Sequence, residues 1–487
     1  MKKLSELLSA TTVGELLGDP ETAIHGLTYD SRAVGAGDCF FAVPGTLRDG
    51  HDFIPAAVGA GAAAIVCERI PETPAPGVAY IRVPDAAGAM ADMAAAFYDH
   101  PSRELRLVGI TGTNGKTTTA TLLYDLVRAL GYRAGLISTV VYRIDGREVE
   151  ATHTTPDAIR LNAMMREMVD AGCDYCFMEC SSHAIVQERT RGLDFAGGVF
   201  TNITHDHLDY HKTFAEYIRA KKRFFDALPA GAFALTNADD RNGSVMVQNT
   251  AARVHTYSLR AMADFRCKIV EMHLDGMLLR LDGRELWVGL LGRFNAYNLL
   301  AVYATACLLG FDREEVLRVL STLHPVSGRF EILRAANGTT AVVDYAHTPD
   351  ALENVDRRNT PPRAAADRRL RLRRRPRPHE APRDGADRRA ARHDGDLPLR
   401  QPAARVARGD PRRDDRGPRP RGTLPAHRRP RGGDPHGRDA LAPGRRDPRR
   451  RQGTRDLPDH RRREAPLRRP RGGPPGLRAA RRTLGAH

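Results

Sequence analysis

The supply of large apolar side chains collapses after Val355, and this break decides how much of the chain can fold. Residues 356–487 contain no Ile, Phe, Tyr, Trp, Met, Cys, Ser or Lys, and Val406 is their one valine. Arg, Pro, Gly, Ala and Asp dominate them instead. Apolar burial is what offsets the conformational entropy lost on folding, about 1–2 kcal/mol per residue for the backbone alone. A segment with so little to bury is expected to stay disordered and to lack a packed core. The folded protein is therefore sought in residues 1–355.

The same break divides the charge. The whole chain carries a formal +16, a balance that would point to a nucleic-acid binder. Residues 356–487, however, hold 41 Arg against 16 Asp plus Glu, which is +25 and leaves −9 for residues 1–355. The part able to fold is mildly acidic, and no specific nucleic-acid partner is expected of it. All seven cysteines precede the break, an odd number that argues against a disulfide framework and for a reducing compartment. Cys173, Cys176 and Cys180 fall in the apolar run DYCFMEC with no fourth ligand at zinc spacing, so they read as core. The N-terminus MKKLSELLSATT lacks a signal-peptide stretch, and no window reaches transmembrane length. A cytoplasmic protein without membrane insertion is expected.

Residues 1–100 alternate short apolar runs with Ala-rich stretches: strands at Cys39–Val43 and Ala64–Cys67, helices over Ile54–Ala62 and Ala86–Tyr98. This pattern predicts a small α/β domain, followed by a linker at His100-Pro101-Ser102. A second α/β unit spans 101–330. It opens with the strand Leu105–Ile110, the loop TGTNGKTT and a helix from Thr117 to Leu130. Further strands are expected at Gly135–Val140, Tyr175–Cys180, Gly198–Thr201 and Ala232–Thr236, giving a mostly parallel sheet covered on both faces. A third unit begins over 331–355, with a strand at Thr340–Asp344, and fails to develop beyond it.

Gly112-Thr113-Asn114-Gly115-Lys116-Thr117-Thr118 lies between a strand and a helix, where backbone N–H groups and the helix dipole favour phosphate. Lys116 would reach the β- and γ-phosphates of ATP, and the Thr117 hydroxyl would ligate Mg²⁺. The strict P-loop spacing places glycine where this chain has Ile110. The plain alternative is a glycine turn before an ordinary helix.

The variant TGTNGKTT resembles the phosphate loop of the Mur ligase family, and six further runs resemble that family's motifs in its order and spacing. They are MECSSHAIVQER (Met178–Arg189), TNITHDHLDYH (Thr201–His211), AKKRFF (Ala220–Phe225), LLGRFNAYNLLA (Leu290–Ala301), VSGRFE (Val326–Glu331) and VVDYAHTPDALE (Val342–Glu353). The resemblance implies a sugar-nucleotide domain over 1–100, an ATP domain over 101–330 and a Rossmann-like third domain whose place the tail occupies. It implies a monomeric enzyme that uses ATP and Mg²⁺ to add an amino acid to a UDP-N-acetylmuramoyl dipeptide.

By the same resemblance Glu179 and His207 are metal ligands; their plain readings are a solvated strand end and a helix cap. Lys221 matches a lysine that the family carbamoylates, making it carboxylate-like; from the residues alone it is one of a Lys-Lys pair on a helix. Ser31 in YDSR, Thr154, Thr155, Ser181, Gln187 and Arg189 carry over as holders of the UDP-sugar peptide. These are hydroxyl, amide and guanidinium groups suited to pyrophosphate and carboxylate. Asn298 is implied near the adenine, and Arg329, Asp344 and His347 near the nucleotide and hinge. Arg48, Asp49 and His51 resemble an N-terminal motif, with structural turn roles equally open.

Read with a one-base shift, in which the middle base of each printed codon becomes the first, the tail changes character. LRLRRRPRPHEAP (Leu370–Pro382) can encode CGCGGDRDRTKRP, and RQPA (Arg400–Ala403) can encode DNPR. RQGTRDLPDH (Arg451–His460) can encode GKGHETYQII, and EAPLRRPRGGP (Glu464–Pro474) can encode KHPFDDREVAR. All four resemble C-terminal motifs of the diaminopimelate-adding branch, in the correct order, which places a frameshift near Val355. HTTPDA (His153–Ala158) suits the branch that adds the third peptide residue, so diaminopimelate is the expected acceptor. The rivals are a lysine-adding form, a folyl-polyglutamate ligase, a plain P-loop ATPase or kinase, and an Arg/Pro-rich module binding nucleic acid through the tail.

Overall fold

The computed structural model describes residues 1–45, 48–151, 153–204, 208–273, 275–334, 337 and 340–346. His207, His347, the remainder of the third unit and the tail 356–487 lie outside the described residues.

The N-terminal segment is built on a five-stranded sheet. Leu27–Thr28, Cys39–Phe41, Ala64–Cys67 and Ala79–Arg82 run parallel, and Glu15–Leu17 adds an antiparallel edge. Side chains alternate between faces as the strand period requires. Cys39, Phe41, Val66 and Ile81 pack under the Ala-rich helix Ala86–Phe97, while Phe40, Ile65, Cys67 and Tyr80 pack with Ile54 and Ala57 on the other face. Asp85 caps that helix by accepting the amides of Ala87 and Gly88 at 3.1 Å.

The stretch expected to be a linker is a packed turn. Pro101–Arg103 forms a 3₁₀ turn with Pro101 and Ser102 buried, and Ser102 Oγ accepts the Asp194 amide at 3.0 Å. A contact 92 residues away thus overrides the loop-like composition.

The larger sheet has eleven strands around a parallel core. We label the core strands β1 (Arg106–Thr111), β2 (Ala134–Ile137), β3 (Tyr175–Glu179), β4 (Gly197–Phe200), β5 (Phe233–Asn237) and β6 (Arg253–Ser258). Their spatial order is β2-β3-β1-β4-β5-β6, all parallel. The chain leaves β1 toward one side and, after β3, crosses to β4 on the other. A crevice forms at the strands' carboxyl ends where such winding reverses.

Further strands extend both edges, antiparallel except where Phe265–His273 joins β6 in parallel. Val141–Ile144 and Arg147–Glu150 form a hairpin beside β2, and Phe265–His273, Gly276–Leu281 and Arg284–Val288 continue from β6. The expectation of a mostly parallel sheet holds, though it named none of these edge strands. A signal was present: Asp145-Gly146 and Asp282-Gly283 each have two positive φ angles, 45° and 91°, then 45° and 90°. Asp-Gly is the dipeptide that two-residue hairpins of this kind prefer.

Helices cover both faces. Helix α1 (Lys116–Ala129) and helix α4 (Arg293–Leu308) bury their apolar residues in one core cluster. The helix Ala158–Asp170 and helix α3 (Phe214–Asp226) contribute to the other, and the short helix α2 (Ser182–Val186) follows β3. Cys173, Cys176 and Cys180 are buried in this second cluster, and burial pushes the Cys173 thiol up to about 11. The hairpin Glu331–Arg334 with Thr340–Val343 opens the third unit. Among the described residues no helix is long and apolar enough to cross a membrane.

Candidate active site

The loop after β1 meets the start of α1 in the crevice. Gly112 and Gly115 have φ of 151° and 86°, conformations that L side chains rarely adopt. A Cβ at Gly115 would also collide with Asn298 Oδ1. The segment after β4 holds the loop: Asn114 N donates to Asn202 Oδ1 at 3.0 Å, and Thr113 N donates to the Asn202 carbonyl at 2.8 Å. Thr201 Oγ1 donates to the Asn114 carbonyl at 2.7 Å. Lys116 Nζ donates to the carbonyls of Gly112 and Thr113 at 2.9 and 2.8 Å. The N–H groups of the first turn of α1 have no intrahelical partner and belong to a wall of the crevice.

That crevice is a cavity of about 750 Å³, large enough for a nucleotide. It gathers Thr113 to Thr118, Thr154, Glu179, Ser181, Lys221, Asn298, Arg329 and Asp344 from distant parts of the chain. Glu179 ends β3 and is fully buried. Its Oε1 accepts the Thr139 amide at 2.7 Å, whereas its Oε2 is buried with no hydrogen-bond partner among the described residues. Lys221 is 1% exposed on α3. Its Nζ donates to the Gly112 carbonyl at 2.8 Å and stands 4.8 Å above the Tyr217 ring. Asn298 Nδ2 donates to Asn295 Oδ1 at 3.0 Å on α4. Asp344 accepts the amides of Phe330 and Ala346 at 2.6 Å, so it also shapes its own turn.

The residues expected to hold a sugar peptide form a second group against β3. Thr155 Oγ1 donates to the Glu179 carbonyl at 2.7 Å, and Ser181 caps α2 by accepting the Ala184 amide at 3.1 Å. Arg189 donates to the Thr155 carbonyl and to Gln187 Oε1, each at 2.6 Å. Burial lowers the Arg189 pKa, against the opposing charges of Tyr29 and Asp157. Ser31 is half-buried in the turn after the strand Leu27–Thr28; Tyr29, two residues earlier, feels both Asp157 and Arg189. The Ser31 loop and Arg189 therefore face the same region. Asp49 and His51 take the structural alternative. Asp49 accepts the His51 amide at 3.0 Å, and His51 Nε2 accepts the Glu68 amide at 3.0 Å; Arg48 is exposed.

Several residues in or behind the cavity wall had no sequence signal. Thr139 reaches Glu179 from the turn after β2. Tyr217 places its hydroxyl 3.1 Å from Thr113 Oγ1 beneath Lys221. Asp239 accepts Ser258 Oγ at 2.7 Å and the Tyr297 hydroxyl at 2.8 Å. Burial first, and that bond to Asp239 second, push the Tyr297 hydroxyl up to about 12, so it remains a donor.

Fold and site define a parallel-core α/β protein with a glycine-bounded loop opening on a nucleotide-sized cavity. Residues 110–306 match the Mur ligase middle domain, and residues 23–98 match the domain described as Mur ligase family, catalytic domain. The chain belongs to the Mur ligase family. It is 55% identical over 352 residues to the UDP-N-acetylmuramoyl-L-alanyl-D-glutamate–2,6-diaminopimelate ligase of Bacteroides thetaiotaomicron, covering 72% of this chain and 73% of that one. Identity to the ligase of the same name from Geobacillus kaustophilus is 42%, covering 69% and 70%. A solved structure of a diaminopimelate ligase of this name superposes with a TM-score of 0.62 at 29% identity, over 73% of each chain.

Proposed function

We propose that this chain is an ATP-dependent ligase that joins 2,6-diaminopimelate to UDP-N-acetylmuramoyl-L-alanyl-D-glutamate in peptidoglycan precursor synthesis. The observation that carries the reading is the 55% identity to a ligase of that name over 352 residues. The γ-carboxylate of D-glutamate attacks the γ-phosphorus of ATP and ADP leaves. The amine of diaminopimelate then attacks the acyl carbon, loses a proton and expels phosphate. The loop amides from Thr113 to Thr118 and the start of α1 hold the phosphates. Lys116 exchanges the Gly112 and Thr113 carbonyls for phosphate oxygens, stabilising the charge on the transferring group. By the family resemblance Asn298 would lie near the adenine and Arg329 near the phosphates. Thr154, Thr155, Ser181, Gln187, Arg189 and Ser31 hold the sugar peptide.

Mg²⁺ fits this donor set. The Thr117 hydroxyl and the unpartnered Oε2 of buried Glu179 are oxygen ligands of the kind it takes. Held there, it would supply positive charge against the phosphates of ATP. Lys221 also lines the cavity, and addition of its neutral amine to carbon dioxide with loss of a proton would give a carbamate, a further oxygen donor.

The test is amino-acid-dependent phosphate release by the chain as it stands and by a chain whose reading frame is restored after Val355. The restored chain is expected to turn over diaminopimelate in preference to lysine, and the chain as it stands to be a poor ligase. Equal turnover by the two would refute the frameshift. A preference for lysine would overturn the acceptor and leave the ligase reading in place.

A further inference from the structure

Two donors converge on one oxygen of Glu179. The Thr139 amide is 2.7 Å from Oε1 and the Thr139 hydroxyl is 3.1 Å from the same atom. That hydroxyl also lies 3.2 Å from Thr154 Oγ1. A hydroxyl has one proton and an ionised carboxylate only accepts. With Glu179 ionised, Thr139 donates to Glu179, and Thr154 donates to Thr139. The other carboxylate oxygen, Oε2, is the buried one with no partner among the described residues. The backbone of Glu179 is tied to the same side: its carbonyl accepts Thr155 Oγ1 at 2.7 Å, and the Thr155 carbonyl accepts Arg189. The carboxylate is thus oriented from the loop carrying Thr154 and Thr155.

We propose that Thr139 is a positioning residue. It fixes Oε1 of Glu179 so that Oε2 is the oxygen presented to a divalent cation in the cavity, and it links that orientation to the loop carrying Thr154. The proposal rests on the cation role of Glu179 proposed above. Two donors on one oxygen restrain the carboxylate torsion; the amide alone pins the oxygen and leaves the plane free to turn. Partners that orient a metal's ligands change affinity without touching the metal.

The experiment is a titration of the full chain with Mn²⁺ alone, followed by water-proton relaxation, with thermal melting as a check of folding. Wild type is expected to bind and Glu179→Gln to lose binding. Thr139→Val, which keeps the shape and the amide, is expected to bind about tenfold more weakly, and Thr139→Ser to restore binding. Wild-type affinity in Thr139→Val would overturn the role of Thr139 while leaving that of Glu179 intact. Equal affinity in wild type and Glu179→Gln would overturn the cation reading, and the proposal with it. If Thr139→Val fails to fold, Thr154→Val removes the donor behind Thr139. Weaker Mn²⁺ binding is then expected, and unchanged binding overturns the link.

Discussion

Arg329 Nη2 donates to the Thr117 hydroxyl 3.0 Å away, joining the first turn of α1 to a segment 212 residues later in the chain. The guanidinium also lies 4.4 Å from the centroid of the Tyr345 ring, which restrains its plane. A helix N-terminus and a fixed cation therefore share one hydroxyl at the cavity wall. Both features favour phosphate. Arg329→Ala is expected to weaken ADP binding by roughly tenfold, about 1.4 kcal/mol, with little change in melting temperature. Calorimetry with ADP checks this, and unchanged affinity would remove Arg329 from the nucleotide site.

Gly115 offers a test of the loop itself. At a φ of 86°, an alanine would occupy the left-handed region, and its Cβ would meet Asn298 Oδ1. Gly115→Ala is expected to cost about 1–2 kcal/mol from the backbone alone and to abolish ADP binding. Gly59, at the end of the helix Ile54–Gly59, faces open space, and a Cβ added there would meet no atom within 4 Å. Gly59→Ala is expected to be neutral or to stabilise by a few tenths to about 1 kcal/mol. Denaturant titration of both variants separates the two outcomes.

The pH response of Asp239 has a definite sign. Burial works to raise its pKa, but hydrogen bonds from Ser258, Tyr297 and the Leu259 amide outweigh it and hold the carboxyl below its ordinary value. A depressed folded-state pKa contributes stability above the unfolded value, near 3.9, that is lost as pH falls through the folded one. Asp239→Asn is expected to destabilise by about 1–3 kcal/mol at pH 7, with the difference from wild type narrowing below about pH 4. A constant difference across that window would show that the charge is not what Ser258 and Tyr297 recognise.

Arg189 distinguishes geometry from charge. Its guanidinium spans the Thr155 carbonyl and Gln187 Oε1, two acceptors that a single ammonium reaches less well. Arg189→Lys is expected to weaken binding of the UDP-dipeptide at least tenfold while leaving ADP affinity unchanged. Isothermal titration with each ligand reads both, and a parallel loss of ADP binding would mean that the substitution disturbs the whole cavity.

Much of this molecule was readable locally. The short apolar runs placed Ala64–Cys67 at its observed bounds, and TGTNGKTT marked a strand–loop–helix junction because glycine and Lys-Thr-Thr leave few other conformations. Strand β2 ends at Ile137, before the expected Val140, because Ser138 Oγ turns to the Val141 carbonyl and Thr139 to Glu179. The His100–Ser102 turn is held by Asp194. In both places a partner outside the local run decided the backbone, and no local pattern encodes that partner.

By itself the sequence determined the parallel α/β core, the glycine-bounded loop at its carboxyl edge and the change of composition after Val355, since periodicity, glycine spacing and apolar content act over short stretches. Only the tertiary structure decided which oxygen of Glu179 is held by Thr139, that Tyr217 lies beneath Lys221, and that Arg329 meets Thr117. Those relationships join residues brought together by strand order and helix packing, and their energies exist only once the core has closed around them.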